Sequence, residues 1–355
     1  MRRGLMKWDP QELPLDNLEA RIGRLRAQMA NSGLDGFVIY TNNVRPSAVH
    51  YLTGFTPYWS EGLLLVPKNG SPVFATALSN RVAEWIRSTN PVSEVISTPR
   101  PGTLIAERLA KEVAAQRIGI LELDGMPSEL FDDLAAAAPT IAWVEGSRQF
   151  AKARDGLDAH ERALLLRADA LAVAALDGAS TADQADAGAV AGSIEKHIRL
   201  AGAEEVYVTL APDLAADRRL NRISQPTSLA ASFAVRASVA YKGSWIRRTR
   251  TYAKNQAAVD ADAWFKELIG GMQVGQSLAE RISTHLAALR GARLESWIAE
   301  SCIGSYPLSP VASSRSPERD VAAGRFLVLT IALSLEQGPW IGAAPFIAAG
   351  PIENP

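Results

Sequence analysis

Apolar residues in the first 150 positions follow two alternating rhythms. Leu18, Ile22, Leu25 and Met29 share one helical face, with Arg21, Arg24 and Arg26 on the remaining surface, and predict an amphipathic helix that Gly33 closes. Gly36–Tyr40 is apolar almost without interruption and predicts a buried strand. Glu61–Val66 and Pro72–Ala77 flank Lys68–Ser71 as the arms of a hairpin. The pattern then alternates: a helix near 79–88, a strand near 92–97, a helix near 103–116, a strand at Arg117–Leu123, a helix from Pro127 and a strand at Thr140–Val144. Such alternation predicts a mixed α/β sheet with helices on its faces.

The polar stretch Ser147–Gly156, with Arg148, Lys152, Arg154 and Asp155, predicts a domain boundary, which gives an N-terminal domain over 1–150 and a C-terminal domain over 151–355. Leu157–Gly178 and Thr181–Ala201 predict two long helices, the second N-capped by Thr181. Strands are expected at 204–210, 231–241 and 246–253, helices near 257–269 and 277–289, and strands again at 325–333 and 340–348. The Ser- and Pro-rich residues 304–323 predict loop.

Composition narrows the class. The chain has 355 residues, enough for about two domains. Lys+Arg 37 against Asp+Glu 38 leaves a formal charge of −1, so no nucleic-acid or anionic-membrane partner is expected. One cysteine, Cys302, precludes an internal disulfide framework and fits the cytoplasm. Polar residues from Trp8 onward follow the basic N-terminus directly, so no signal peptide is expected, and no apolar run is long enough to predict a membrane span. No Gly-x-Gly-x-x-Gly follows a predicted strand, which weakens a nucleotide-binding reading.

The candidate chemistry gathers in Phe233–Tyr252, an extended stretch with a turn at Lys242-Gly243. Gly243 and the run Thr249-Arg250-Thr251 resemble the strand pair that carries the first two metal ligands in the creatinase/aminopeptidase P family, of pattern Asp-x-Gly…Gly-Tyr-x-x-Asp-x-Thr-Arg-Thr. The signature Tyr51-Leu52-Thr53-Gly54-Phe55 also matches that family's N-terminal domain. The resemblance covers essentially the whole chain. It implies an α/β N-terminal domain followed by an α+β pita-bread C-terminal domain, and a homodimer whose N-terminal domains border the partner's cleft. In the family, two carboxylate-bridged metal ions polarise the scissile amide and hold the water that attacks it.

The ligand positions of that family carry other residues here. The two aspartates fall on Arg236 and Arg247, the family spacing of 247 − 236 = 11 being kept. The ligand histidine falls on Ser301, the next glutamate on Thr330 or Ala332 with Glu336 a few residues on, the last glutamate near Gly342-Ala343, and the proton-shuttling histidine around Arg218–Asn221. The four histidines, His50, His160, His197 and His285, lie elsewhere and read as structural. The sequence therefore predicts a protein with no metal and no other cofactor, without Xaa-Pro peptidase activity. Creatinase itself, a metal-free member, uses a histidine that this chain also lacks. Candidate ligand-binding residues are Arg236, Arg247, Arg250, Tyr241, Ser301 and Cys302, a cationic fork suited to a small anionic molecule. Tyr207 and Tyr306 are further candidates for the cleft wall. The arginines have an ordinary alternative, pairing with Asp213, Asp217 or Glu300. Two functions stay open: a binding protein without chemistry, for which a histone-chaperone subunit of this fold is a precedent, or a metal-independent C–N or amide hydrolase or lyase acting on a small anionic metabolite. A base beside Arg236 would favour the enzyme; a pocket filled by its own side chains would favour the binder.

Overall fold

Helix α1 (Leu15–Asn31) buries Leu18, Ile22, Leu25 and Met29, the stripe that its spacing requires. Gly33, at φ +63°, turns the chain into strand β1 (Gly36–Thr41). Helix α2 (Ser47–Thr53) carries the start of the Tyr-Leu-Thr-Gly-Phe signature, and its structure explains the motif. Tyr51 and Leu52 are buried, Thr53 Oγ1 donates to the Val49 carbonyl, and Gly54 ends the helix at φ +74°. Strands β2 (Gly62–Pro67) and β3 (Val73–Thr76) form the expected hairpin. Then α3 (Asn80–Arg87), β4 (Glu94–Ser97), α4 (Pro101–Arg108), β5 (Arg117–Leu121), α5 (Ser128–Ala137) and β6 (Ala142–Glu145) alternate. The six strands lie in the order β4-β3-β2-β1-β5-β6. Side chains of α1, α2 and α3 pack on one face of the sheet, and those of α4 and α5 on the other.

The structure is a computed structural model describing residues 7–57, 61–113, 115–179, 186–272, 275, 277–302, 307–317 and 325–347. The chain divides into two units between Asp155 and Gly156. The polar stretch before that point is not a linker. Its residues form α6 (Ser147–Ala153), Phe150 and Ala153 are buried in the first core, and the Arg154 guanidinium lies 4.0 Å from the centre of the Tyr51 ring. A polar outer face concealed two inward anchors.

The C-terminal unit begins with α7 (Ala159–Asp177), N-capped by Asp158, and α8 (Ala187–Leu200), N-capped by Asp186. Thr181, the expected cap, lies outside the described residues. A seven-stranded sheet follows: β7 (Glu205–Ala211), β8 (Ser232–Tyr241), β9 (Ser244–Ala253), β10 (Arg293–Ser301), β11 (Ser309–Ser313), β12 (Phe326–Leu335) and β13 (Gly338–Ile347), in the order β11-β10-β12-β13-β9-β8-β7. The helices α9 (Gln256–Gly270) and α10 (Leu278–Leu286) precede β10. Two strands depart from expectation. β10 has no clean alternation because Glu295 is an extra residue in its pairing with β12, where the register slips between Leu294 and Ser296. β11 lies in the predicted loop; as an edge strand it tolerates Pro310, so composition hides it. Among the described residues no helix is long and apolar enough to cross a membrane.

Residues 212–231 connect β7 to β8 and are anchored at several points. Asp186 accepts from the backbone N–H of Ala189 and of Thr227, and Leu210 and Asn221 exchange backbone hydrogen bonds. The Ala189 N–H, then that of Thr227, hold the Asp186 carboxyl below its ordinary value. A depressed folded-state value means that this contribution is complete above the unfolded-state pKa and is lost as pH falls through the folded one. Asp186→Asn keeps a capping oxygen but not the charge. It is expected to flatten the fall of melting temperature below about pH 4; an unchanged acid limb in thermal melts would exclude the role.

Candidate functional site

The hairpin β8–β9 closes through a two-residue turn in which Lys242 has φ +46° and Gly243 φ +77°. The Glu204 carboxylate accepts the backbone N–H groups of both, and burial pushes this carboxyl up despite those bonds. The turn sets the pairing Arg236↔Thr249 and Ser238↔Arg247. Alternation then sorts the side chains. Phe233, Val235, Ala237 and Val239 pack with Leu165, Ala168 and Ala172 of α7. On β9, Arg248 pairs with Asp169, Arg250 with Asp177, and the Tyr252 hydroxyl donates to the Leu176 carbonyl, all on α7. Arg236, Ser238, Arg247 and Thr249 therefore occupy the opposite face. Register carries that face across the sheet through Ala343 of β13 and Thr330 of β12, while Leu327, Leu329 and Trp340 pack with α9 and α10 on the helix side.

On this site face the Arg247 guanidinium binds the Glu300 carboxylate of β10, and both side chains are more than 90% buried, at 9% and 8% exposure. Arg247 Nε also donates to Ser238 Oγ at 3.4 Å. Between β9 and β10 lie β13 and β12, so the pair crosses three strand spacings, about 14 Å in a flat sheet. The two side chains meet only because the face is concave. The contact ties β9 to β10 across β13 and β12, adding to the register pair Ala343↔Thr249 and the Thr251 hydroxyl bonds to Ile341. Beside this pair, Arg236 Nε donates to Thr249 Oγ1 at 3.1 Å.

One end of the face is filled by the chain itself. Leu214, from the β7–β8 connection, is fully buried against Ala211, Ala234 and Ile341, with Leu220 and Ala332 alongside. Arg218 of the same connection pairs with Glu295 on β10. Nearer the hairpin turn, Tyr207 stacks on Trp245 at 5.6 Å.

Of the six candidate residues, the structure brings Arg236 and Arg247 to one face and turns Arg250, Tyr241 and Ser301 elsewhere. Arg250 points to α7 and Asp177. Tyr241 lies on the helix side, with the Arg167 guanidinium 5.9 Å from its ring centre. Ser301 pairs with Leu327, which packs among α9 and α10, so it faces away; Glu300, one residue earlier, reaches the site. Cys302 is buried, and burial first, then the Glu300 and Asp169 carboxylates, push its thiol well up against the opposing Arg247 charge. Glu336 sits in the β12–β13 turn against Gly291, off the face. Of the tyrosines, Tyr306 lies outside the described residues.

Divalent metal does not fit these residues. The face carries the cations Arg236 and Arg247, the Glu300 carboxylate is engaged by Arg247, and among the described residues no three His, Cys, Asp or Glu side chains are gathered. His285, far from the face in sequence, stacks on Trp264, and His50 Nδ1 lies 2.8 Å from Thr56 Oγ1.

The architecture is that of the pita-bread peptidases. An Xaa-Pro dipeptidase from Bacillus anthracis aligns over 94% of this chain and 95% of its own, with TM-score 0.69 and 18% identity. An X-Pro aminopeptidase from Thermotoga maritima aligns over 91% and 95%, with TM-score 0.71 and 12% identity. The N-terminal domain of the FACT complex subunit SPT16 from Eremothecium gossypii aligns over 94% and 94%, with TM-score 0.60 and 14% identity. No curated protein matches in sequence. Residues 21–155 match the Creatinase/Prolidase N-terminal domain family. By that domain the N-terminal unit belongs to the creatinase/prolidase N-terminal family, and the C-terminal unit has the pita-bread fold.

Proposed function

We propose that this protein is a metal-free, non-peptidase member of its family whose C-terminal unit binds a small anionic ligand, or a partner presenting one, on the concave face. The observation that carries the reading is the Arg247–Glu300 pair, buried where the family gathers metal ligands. The cationic donors of this reading are the two guanidinium groups that the face carries, Arg247 beside Glu300 and Arg236 beside Thr249. The apolar cluster of Leu214 and Ile341 supports binding over chemistry, because the chain's own side chains fill part of the face. A metal-independent hydrolase needs a base beside Arg236, and the carboxylate placed on this face by β10 is held by Arg247. The shared fold of a FACT complex subunit supports a binding role for the same architecture. The reading includes a cytoplasmic homodimer, for which light scattering at micromolar concentration is the check.

Purified protein supplied with manganese, cobalt or zinc is expected to hydrolyse no Xaa-Pro dipeptide and to retain no stoichiometric metal after dialysis. Metal-dependent turnover would overturn the reading. Millimolar acetate or phosphate is expected to raise the melting temperature by mass action on the folded state, and Arg236→Ala to abolish the rise.

A further inference from the structure

We propose that the tip of the β2–β3 hairpin is a self-modification site, at which Asn69 converts to aspartate and isoaspartate by ring closure onto the Gly70 nitrogen in the folded protein. Asn69-Gly70 is the one Asn-Gly pair in the sequence. The strands pair as far as Leu65↔Val73, and Lys68, Asn69, Gly70 and Ser71 at the tip are all exposed. The turn is fastened from outside rather than by bonds of its own. The Lys68 N–H donates to the Asp35 carbonyl at 2.9 Å, and Lys68 Nζ pairs with the Asp35 carboxylate. Arg26 Nε donates to the Pro67 carbonyl at 3.0 Å, and its Nη2 donates to the Gly70 carbonyl. These anchors lie on either side of the Asn69–Gly70 peptide group. Among the described residues, nothing bonds the Gly70 N–H, the Asn69 carbonyl or the Asn69 side chain. That peptide plane can therefore rotate while its flanks stay fixed. Gly70 adopts φ +83° and has no atom within 4 Å of where a Cβ would stand, so neither a side chain nor a neighbour blocks the approach.

The Gly70 nitrogen and the Asn69 Cγ are close in the covalent chain, and their closure makes a five-membered ring, so the reaction is intramolecular and needs only the right rotamer. The Gly70 nitrogen attacks Cγ, the N–Cγ bond forms, the Cγ–Nδ2 bond breaks, and ammonia leaves with the proton that the Gly70 nitrogen gives up. Water then opens the succinimide. Opening at Cγ gives aspartate, and opening at the backbone carbonyl gives isoaspartate, with one more carbon in the main chain. Positive charge nearby favours loss of the amide proton, and the Arg26 guanidinium on the Gly70 carbonyl supplies it. Other asparagines of the chain are held back by their bonds. Asn42 Oδ1 accepts the N–H groups of Val44 and Arg45 while its Nδ2 donates to the Tyr40 hydroxyl. Asn255 Oδ1 caps α9 through the Ala258 N–H, and Asn90 precedes Pro91, which has no N–H to attack with.

The full chain, kept folded in mildly alkaline buffer at body temperature, tests this by peptide mass spectrometry and by methylation with an isoaspartyl methyltransferase. Product is expected at Asn69, at a rate within about tenfold of that in the urea-unfolded chain, because the fold leaves the ring closure unobstructed. Asn42 and Asn255 are expected to convert only in the unfolded chain. Asn69→Gln is expected to abolish the product, since glutamine would have to close a larger ring, and to leave the melting temperature unchanged. Conversion in the folded chain about a hundredfold slower than in urea, the cost of a misplacement of about one ångström, overturns the proposal. So does product appearing first at another asparagine, or a melting temperature several degrees lower in Asn69→Gln, which would reveal a partner that holds the side chain.

Discussion

Glu300→Ala is expected to destabilise the C-terminal unit by about 3–5 kcal/mol, and Arg247→Ala by a similar amount. Each change leaves the other charge unpaired and largely out of water, at 9% and 8% exposure. The double replacement Arg247→Met with Glu300→Leu is expected to behave oppositely. It removes both desolvation penalties and fills a similar volume, so it should leave stability unchanged or raise it by about 1–4 kcal/mol. Urea unfolding of the two single variants and the double variant completes the cycle. Single variants that lose less than about 1 kcal/mol, within the range of exposed pairs, would show that the pair is solvated and does not tie the sheet. The test bears on how the sheet is held across its middle, because this one ion pair reaches from β9 over β13 and β12 to β10.

Leu214→Ala is expected to cost about 3 kcal/mol, within the usual range for a buried leucine. Leu214 is fully buried, and its neighbours Ala211, Ala234 and Ala332 are too small to move into the space left behind. Ile341 is held by backbone pairing to Leu333's strand and by the Thr251 hydroxyl, so it cannot follow either. Because Leu214 fastens the 212–231 connection over the face, the variant is also expected to be cleaved faster within those residues by a nonspecific protease. A loss below about 1 kcal/mol with unchanged proteolysis would mean that Arg218–Glu295 and the Asp186–Thr227 bonds hold the connection without it.

The lines of the fold that sequence makes legible are those governed by local periodicity and turn chemistry. The α1 stripe, the β2–β3 hairpin and the Lys242-Gly243 turn depend on neighbours a few residues away, so pattern alone places them. β11 depends on none of these: its five residues pair as an edge strand because β10 lies beside them. The α6 segment has the same character, since two buried side chains among seven residues do not outweigh its polar composition.

For the site, sequence by itself determined that Arg236 and Arg247 stand eleven residues apart on one hairpin, since spacing along one hairpin is a local quantity. It left open whether those cations face a ligand, solvent or a carboxylate. Only the tertiary structure decided that Arg247 meets Glu300 while Arg248 and Arg250 turn to α7, and that Ser301 and Tyr241 look away from the face. The physical reason is the pleat. A single-residue slip exchanges the two faces of a strand, and the bulge in β10 between Leu294 and Ser296 makes that slip in a place no local pattern records.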